Sequence, residues 1–156
     1  MSIQIVQARL EDAESVATLV GELLQEIMAA VNDKVFGFHH ADTVARARSW
    51  LKEGLYTVIL AHEGGELLGF LALYESYALY TEGAYGTIPE FYVRPAHRSN
   101  GVGAALLEQA RRLGQSRGWR RLEVTTPPLP QFDRTLAFYQ REGFSISGGR
   151  KLKLDL

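Results

Sequence analysis

The chain has 156 residues, of which 46% are apolar and 22% charged, and its net charge is −1 at pH 7. This length and composition fit one soluble globular domain with a substantial core. The absence of cysteine excludes disulfides, thiolate zinc sites and cysteine nucleophiles. The four histidines lack the spacing of metal ligands, so no metal is expected. With no secretory-signal pattern and no apolar run near the ~20 residues that span a bilayer, a cytoplasmic protein without a membrane partner is expected.

The charges are unevenly distributed along the chain. Residues 1–90 contain thirteen acidic and five basic side chains, whereas residues 91–121 contain seven arginines and one acid. Arg94 and Arg98 flank a glycine-bearing loop, where a phosphorylated ligand would need cations. The other arginines are expected on solvated surface. The basic segment is too short and too poor in aromatic residues to indicate nucleic-acid binding.

The first half of the chain predicts strands and helices that are distinguished by their hydrophobic periodicity. Apolar residues alternate with polar ones in half-buried strands and recur every three or four residues in helices. The expected elements are a strand at Ile3–Ile5, helices over Glu11–Ala30 and Asp42–Glu53, and strands over Tyr56–Ala61 and Leu67–Tyr77. Asp42 is the expected N-cap of the second helix, and Gly64-Gly65 is the expected hairpin turn.

The second half continues the alternation of strands and helices. The expected elements are strands over Gly86–Val93 and Arg121–Thr125, helices over Gly101–Arg117 and Asp133–Glu142, and closing strands over Phe144–Ser147 and Lys151–Leu156. Pro89 predicts a sheet edge or a bulge, because proline cannot donate to a ladder. The order of about seven strands and about four helices predicts a single α/β domain over residues 1–156, with a mixed and mostly antiparallel sheet.

The segment from Phe91 to Leu107 predicts a binding site for an anion. A short strand ends at Val93, and a loop that contains Gly101 and Gly103 leads directly into an amphipathic helix. Backbone N–H groups and the positive end of the helix dipole meet in such a loop. The glycines alone do not specify the ligand, because glycine also serves close packing. An ATP phosphate loop is disfavoured, since no Lys-Ser/Thr follows the glycines.

Two motifs together resemble the Gcn5-related N-acetyltransferases (GNAT family). The first, which is similar to the family's acetyl-CoA-binding motif, is Val93-x-Pro95-x-x-Arg98-x-x-Gly101-x-Gly103. The second, which is similar to a downstream family segment, is Phe138-Tyr139-x-x-x-Gly143-Phe144. Their order, their spacing and the surrounding elements extend the resemblance over essentially the whole chain. The resemblance implies a sheet that is splayed between strands 4 and 5, with acetyl-CoA bound in the slot.

The resemblance also implies which residues hold acetyl-CoA. Backbone groups of Phe91 and Val93 would bond the pantetheine arm, and the Val93 N–H would polarise the thioester carbonyl. The residues that would hold the pyrophosphate are Arg98, Asn100, Gly101, Val102, Gly103 and Ala104. One departure lies at Phe132, where family members often carry an asparagine that contacts pantetheine. A proline-rich segment, residues 127–130, precedes it.

Catalysis requires an acid and a base. By the resemblance, Tyr139 would protonate the departing thiolate of CoA. Because only a neutral amine attacks a thioester, a base must also accept a proton. Glu90 is the first candidate, and water is the alternative. Glu75 and Glu82 are weaker alternatives that would act through water. No cysteine or serine elbow supports a covalent route.

A cluster of tyrosines and carboxylates predicts the acceptor site. Tyr74, Glu75 and Tyr85 are the expected substrate-binding residues, because aromatic and acidic side chains suit a cationic amine. The alternative is that such tyrosines only fill a strand face or a dimer contact. The loop Phe36–His40 is a second wall of the pocket by position alone.

The sequence and the resemblance therefore predict an acetyl-CoA-dependent N-acetyltransferase. The acceptor would be a small-molecule, N-terminal or lysine amine, attacking the thioester directly in a ternary complex. The alternative is a catalytically silent CoA-binding module that acts as a sensor or interaction partner. Many members of the family pair, so a homodimer is also an expectation.

Overall fold

Six strands form one mixed sheet in the unit that ends at Thr125, in a computed structural model that describes residues 2–156. The strands are β1 (Gln4–Gln7), β2 (Thr57–Glu63), β3 (Glu66–Ala78), β4 (Gly83–Ile88), β5 (Phe91–Val93) and β6 (Leu122–Val124). Their order is β1-β2-β3-β4-β6, with β5 paired to β3. All pairs are antiparallel except β4 with β6, which confirms the predicted α/β class and mixed sheet.

Three helices belong to the same unit: α1 (Ala13–Val31), α2 (His40–Lys52) and α3 (Val102–Ser116). The prediction of Asp42 as an N-cap is wrong, because α2 begins two residues earlier, after the extended residue His39. Asp42 lies in the first turn instead, where its negative charge still favours the helix dipole. The predicted hairpin turn is confirmed, since Glu63 pairs with Glu66 across Gly64-Gly65.

The core is organised around β3, which is buried on both faces from Leu68 to Leu73. Strand β2 is buried beside it from Thr57 to Ala61. The helices contribute buried apolar side chains at three- and four-residue spacing, which is the stripe that packs against a sheet: Val16, Leu19, Leu23 and Ile27 from α1, and Val102, Leu106 and Ala110 from α3.

The strand predicted over Gly86–Val93 is interrupted by a β-bulge. Tyr74 pairs with Thr87, and Leu71, three residues back along β3, pairs with Phe91, four residues further along the other strand. One extra residue therefore lies between β4 and β5, around Pro89, which is the definition of a bulge. Of the two alternatives predicted at this proline, a sheet edge or a bulge, the structure shows the bulge.

The bulge is also the place where the sheet opens. Strand β6 runs parallel to β4 and pairs with it from Gly86 to Ile88, whereas β5 pairs with β3. The pairing of β6 ends at Ile88, and β6 does not pair with the residues that continue into β5. The predicted splay between the fourth and fifth strands of the sequence analysis is confirmed at this point.

The second compact unit, residues 126–156, contains α4 (Asp133–Arg141). The predicted strands at Phe144–Ser147 and Lys151–Leu156 are wrong, because neither segment joins a ladder. Their alternating pattern gives each segment one apolar side, but a strand also needs a hydrogen-bonding partner. Ile146, Leu152, Leu154 and Leu156 are left exposed. The sheet thus has six strands, not about seven. Over the described residues no helix combines the length and the apolarity needed to cross a membrane.

Gly69 is expected to be essential for the approach of β5 to β3. A Cβ at Gly69 would clash with the Tyr92 carbonyl oxygen and lie 2.9 Å from the Val93 Cα, and backbone atoms cannot move aside cheaply. Gly69→Ala should therefore lower the free energy of unfolding by about 1–3 kcal/mol in urea denaturation. Gly37→Ala is the matched control, because a Cβ there meets nothing within 4 Å. Equal stability of the two variants would contradict the prediction.

Candidate active site

The open edge of β5 carries backbone groups that point away from β3. In an antiparallel pair, alternate residues bond to the neighbouring strand and the residues between them point to the other side. At the two ends of β5, the Glu90 carbonyl accepts a bond from β3 at 2.9 Å and the Arg94 N–H donates one at 2.8 Å. Phe91 and Val93 therefore direct their N–H and C=O groups away from β3, toward the side on which β6 pairs with β4 but not with β5. This is the orientation that the predicted pantetheine contacts require.

The loop between β5 and α3 gathers backbone N–H groups at the helix N-terminus. Ser99 and Gly101 have positive φ angles of 66° and 83°. A Cβ at Gly101 would meet nothing within 4 Å, so the backbone angle, not space, favours glycine there. Within the described residues, the N–H groups from Ser99 to Ala104 donate to no protein acceptor, and the first helical bond joins Ala105 to Gly101 at 3.0 Å. Such a group of donors suits an anion.

Two arginines beside this loop are held by glutamates of α1. The Arg98 guanidinium contacts Glu26 Oε1 at 2.6 Å, and its Nε donates to the Val93 carbonyl at 2.8 Å. Arg94 makes two bonds to the Glu22 carboxylate, at 3.1 and 2.9 Å, and this contact raises the pKa of Arg94. Both cations expected to face a phosphate thus have a carboxylate partner already, and α1 is tied to β5.

The Glu90 carboxylate lies part-buried beside the Tyr56 hydroxyl. Tyr56 Oη donates to Glu90 Oε1 at 3.0 Å and lies 3.3 Å from Oε2. Burial raises the pKa of Glu90, and the Tyr56 hydrogen bond opposes part of that rise. Burial and the charge of Glu90 also raise the pKa of Tyr56, so the phenol stays protonated at neutral pH. A desolvated carboxylate of this kind is suited to accept a proton.

Aromatic rings surround the Tyr56 side chain on two sides. The Trp50 ring of α2 lies 5.0 Å from the Tyr56 ring, and the Tyr74 ring of β3 lies 6.0 Å away and nearly parallel, at 15°. Trp50 and Tyr74 are each 36% exposed, so both present ring surface to solvent. Together Trp50, Tyr56 and Tyr74 form an aromatic stack next to Glu90.

The two alternative bases have different surroundings. Glu75 accepts hydrogen bonds from the Tyr77 hydroxyl at 2.5 Å and the Trp119 indole N–H at 2.7 Å, and these bonds lower the pKa of Glu75. Glu82 is exposed in a turn and lies 3.5 Å from Arg120. The lowered pKa makes Glu75 a weaker proton acceptor than a buried carboxylate.

The three residues expected to bind the acceptor are divided between the two faces of the sheet. Side chains alternate along a strand, so Tyr74 and Ser76 lie on one face and Glu75 on the other. Tyr85 pairs with Ser76 and therefore shares the face of Tyr74. The Arg121 guanidinium lies 5.6 Å from the Tyr85 ring. Tyr74 and Tyr85 thus share a face, and Glu75 does not join them.

In the second unit, Tyr139 is a buried residue of α4, with 5% of its surface exposed. Its ring lies 5.5 Å from that of Phe138 and 5.3 Å from that of Phe144. Burial raises the pKa of Tyr139, which keeps its hydroxyl protonated. Phe132 is the N-cap residue of α4 and follows a loop with a cis peptide bond at Leu129–Pro130.

Comparisons with known proteins identify the family. Residues 22–144 match the Acetyltransferase (GNAT) family. The chain belongs to this family. It is 25% identical to the uncharacterized N-acetyltransferase YhfO of Bacillus subtilis (strain 168), over 94% of this chain and 93% of that protein.

Solved structures of acetyltransferases have the same fold as this GNAT chain. The aminoglycoside acetyltransferase HMB0005, from an uncultured soil metagenomic sample, is 26% identical with a TM-score of 0.73, over 100% of this chain and 98% of that one. A predicted acetyltransferase from Clostridium acetobutylicum, crystallised with acetyl-CoA, has a TM-score of 0.77 over 99% and 96% of the chains. Its identity is 15%, so this second likeness concerns the fold alone.

Tyr56 contacts the candidate base Glu90, and Trp50 lies against Tyr56, but the sequence analysis identified neither residue. Leu55 and Tyr56 donate their N–H groups to the Trp50 carbonyl, at 2.9 and 3.3 Å, in the turn that Gly54 makes after α2. That turn brings the two rings together, and the glycine after a helix is the only local sign of it.

Among residues 2–156, no group of three or more metal-ligating side chains is found.

Tyr56→Phe should raise the pKa of Glu90 further. The substitution removes the hydroxyl that stabilises the charged carboxylate and leaves its burial unchanged. The pKa of Glu90 can be followed by NMR titration of the side-chain carboxyl carbon. Tyr77→Phe is the matched control, because it removes the corresponding donor from Glu75, whose pKa alone should rise. An unchanged Glu90 titration in Tyr56→Phe would show that the hydroxyl does not tune this group.

Proposed function

We propose that this chain is an acetyl-CoA-dependent N-acetyltransferase that acts on a primary amine, as one domain over residues 1–156. The observation that carries the proposal is the continuity of segment 90–104. It contains, in order, a desolvated carboxylate, a strand edge that faces away from β3 and a loop whose N–H groups donate to no acceptor among residues 2–156. The strand edge and the loop N–H groups suit an acyl carrier with an anionic end. The carboxylate suits an amine that must lose a proton.

The residues of segment 91–104 fit acetyl-CoA. The N–H groups of Asn100, Gly101, Val102, Gly103 and Ala104 suit the pyrophosphate, and the edge groups of Phe91 and Val93 suit the amides of the pantetheine arm. Arg98 uses two of its five N–H donors on Glu26 and Val93, which leaves others for a phosphate oxygen. Acetyl-CoA supplies an acetyl group activated as a thioester, and the Clostridium acetobutylicum acetyltransferase was crystallised with it.

In the proposed reaction the amine nitrogen attacks the thioester carbonyl in a ternary complex. Glu90 accepts the proton that the substrate ammonium gives up, directly or through water. The N–C bond forms and the C–S bond breaks, while the Val93 N–H donates to the carbonyl oxygen on which negative charge develops. Tyr139 gives its proton to the departing thiolate, and the second proton that the nitrogen loses as the amide forms restores the Tyr139 hydroxyl. The products are an N-acetylated amine and free CoA.

Glu90 should determine the acid limb of the pH–rate profile. A base works only when ionised, so kcat/KM falls as pH drops through its pKa, and burial places that fall above the pH expected for an exposed glutamate. Glu90→Gln should remove this limb and lower kcat/KM about 10²–10⁴-fold near neutral pH, measured by thiol release from acetyl-CoA. The control is Glu82→Gln, which should keep the wild-type profile. An acid limb that persists in Glu90→Gln would exclude Glu90 as the base.

Tyr139→Phe should lower kcat and leave the affinity for CoA nearly unchanged. The variant keeps the ring and its contacts with Phe138 and Phe144 but loses the transferable proton. We expect a loss of about 10²-fold or more in kcat, with CoA affinity measured by calorimetry as the control within the same protein. Unchanged turnover would exclude Tyr139 as the acid.

The direct test is an acceptor screen with acetyl-CoA, detected by free thiol. Acetylation of an amine, together with thermal stabilisation by CoA, would support the proposal. Stabilisation by CoA without acetylation of any amine in a broad panel would support a silent CoA-binding module instead. Absence of both would overturn the assignment of segment 90–104 to acetyl-CoA.

A further inference from the structure

The aromatic stack and Glu90 occupy the same face of the sheet. The Glu90 carbonyl accepts a hydrogen bond from the Ala72 N–H, so Glu90 lies opposite Ala72. Tyr74 lies two residues beyond Ala72 on the same strand, so the side chains of Glu90 and Tyr74 share a face. The Tyr56 hydroxyl reaches the Glu90 carboxylate, and the Tyr56 ring lies between those of Trp50 and Tyr74. A single carboxylate is therefore bordered by ring surface, at the point where the open edge of β5 begins.

The Glu90 carboxylate retains capacity for a second partner. An ionised carboxylate has about four acceptor positions, and the Tyr56 hydroxyl takes one shared position between the two oxygens. An ammonium group is the ligand that matches the remaining positions in charge and in donors. The part-exposed rings of Trp50 and Tyr74 can receive the body of the same ligand through stacking and cation–π contact.

The charges around this face oppose a polycation. Helix α2, which supplies Trp50, carries Arg46 one turn before it, on the same side of the helix. Glu75 lies on the other face of β3, and Glu82 is paired with Arg120. On the face of Tyr74, Glu123 is already paired with Arg121 at 2.7 Å. A ligand with several ammonium groups would therefore find Glu90 as its carboxylate, and Arg46 would repel it.

We propose that Trp50, Tyr56, Tyr74 and Glu90 form the acceptor subsite, and that the acceptor is a small primary monoamine with a flat aromatic body. This inference rests on the proposed acetyltransferase function. The amine nitrogen binds at Glu90, which takes its proton, and the aromatic body lies against Trp50 and Tyr74. Tyr56 is a positioning residue, because it orients Glu90 and separates the two outer rings.

The test compares amines as acceptors of the full-length protein with acetyl-CoA. The panel is 2-phenylethylamine, its saturated analogue 2-cyclohexylethylamine, spermidine, an aminoglycoside and a peptide with a free N-terminus. We expect the highest kcat/KM for 2-phenylethylamine, about 2- to 10-fold above the saturated analogue, and the lowest for the two polycations. A preference for a polycation or for the peptide would overturn the acceptor class while leaving the acetyltransferase function intact. CoA binding without acetylation of any amine would overturn the function itself.

Two variants test the subsite directly. Trp50→Leu and Tyr74→Leu should each raise KM for 2-phenylethylamine several-fold and leave KM for acetyl-CoA unchanged, because they remove ring surface on the acceptor side. Tyr80→Leu is the matched control, since Tyr80 is 76% exposed and lies outside the aromatic stack. Equal effects of all three substitutions would overturn the subsite.

A binding measurement keeps the proposal testable if a variant folds poorly. Adding 2-phenylethylamine to the wild-type protein saturated with CoA should change its tryptophan fluorescence, and Trp50→Phe, which keeps a ring, should lose that change. Trp119→Phe should retain it, because Trp119 lies on the face of Glu75. A fluorescence change that depends on Trp119 instead of Trp50 would place the amine on the wrong face for this subsite.

Discussion

One extra residue in the strand around Pro89 is the constraint on which the candidate site depends. Because proline has no N–H to donate, the ladder is interrupted there, and the register of β5 on β3 is shifted by one residue relative to β4. The shift directs the edge groups of Phe91 and Val93 toward the side that β6 has left, and it places the Glu90 side chain beside Tyr56. The strand edge and the carboxylate are therefore two consequences of the same backbone irregularity.

The uneven distribution of charge along the sequence is matched by ion pairs within the fold. The acidic first half supplies Glu22 and Glu26 on α1, and the basic segment that follows supplies Arg94 and Arg98. Ion pairs at part-exposed positions contribute modest stability, but here they connect α1 to the C-terminal end of β5 and to the loop that follows it. The same contacts reduce the positive charge beside the loop that precedes α3. Uncharged backbone N–H groups at the start of α3 are therefore a large part of the hydrogen-bond donors that this loop presents for an anion.

The wrong predictions, the Asp42 N-cap and the two closing strands, have a common physical origin. Asp42 is a good capping residue, but the start of α2 is set by where the extended chain at His39 turns. The closing segments after Phe144 alternate as strands do, but alternation describes only the side chains. Whether a segment becomes a strand is decided by a partner for its backbone, and local pattern carries no information about one.

The sequence by itself determined the features that arise from local chemistry. These are the glycine hairpin after Glu63, the proline bulge, the loop that leads into α3 and the two motifs that indicate the GNAT family. Only the tertiary structure placed Tyr56 opposite Tyr74, because a second irregularity between Ala61 and His62 shifts the register of the hairpin by one residue. Counting back from the hairpin turn would have set Tyr56 against Leu73 instead. The surroundings of Glu90, which come from α2, β2 and β3 together, depend on long-range packing that no single stretch of sequence encodes.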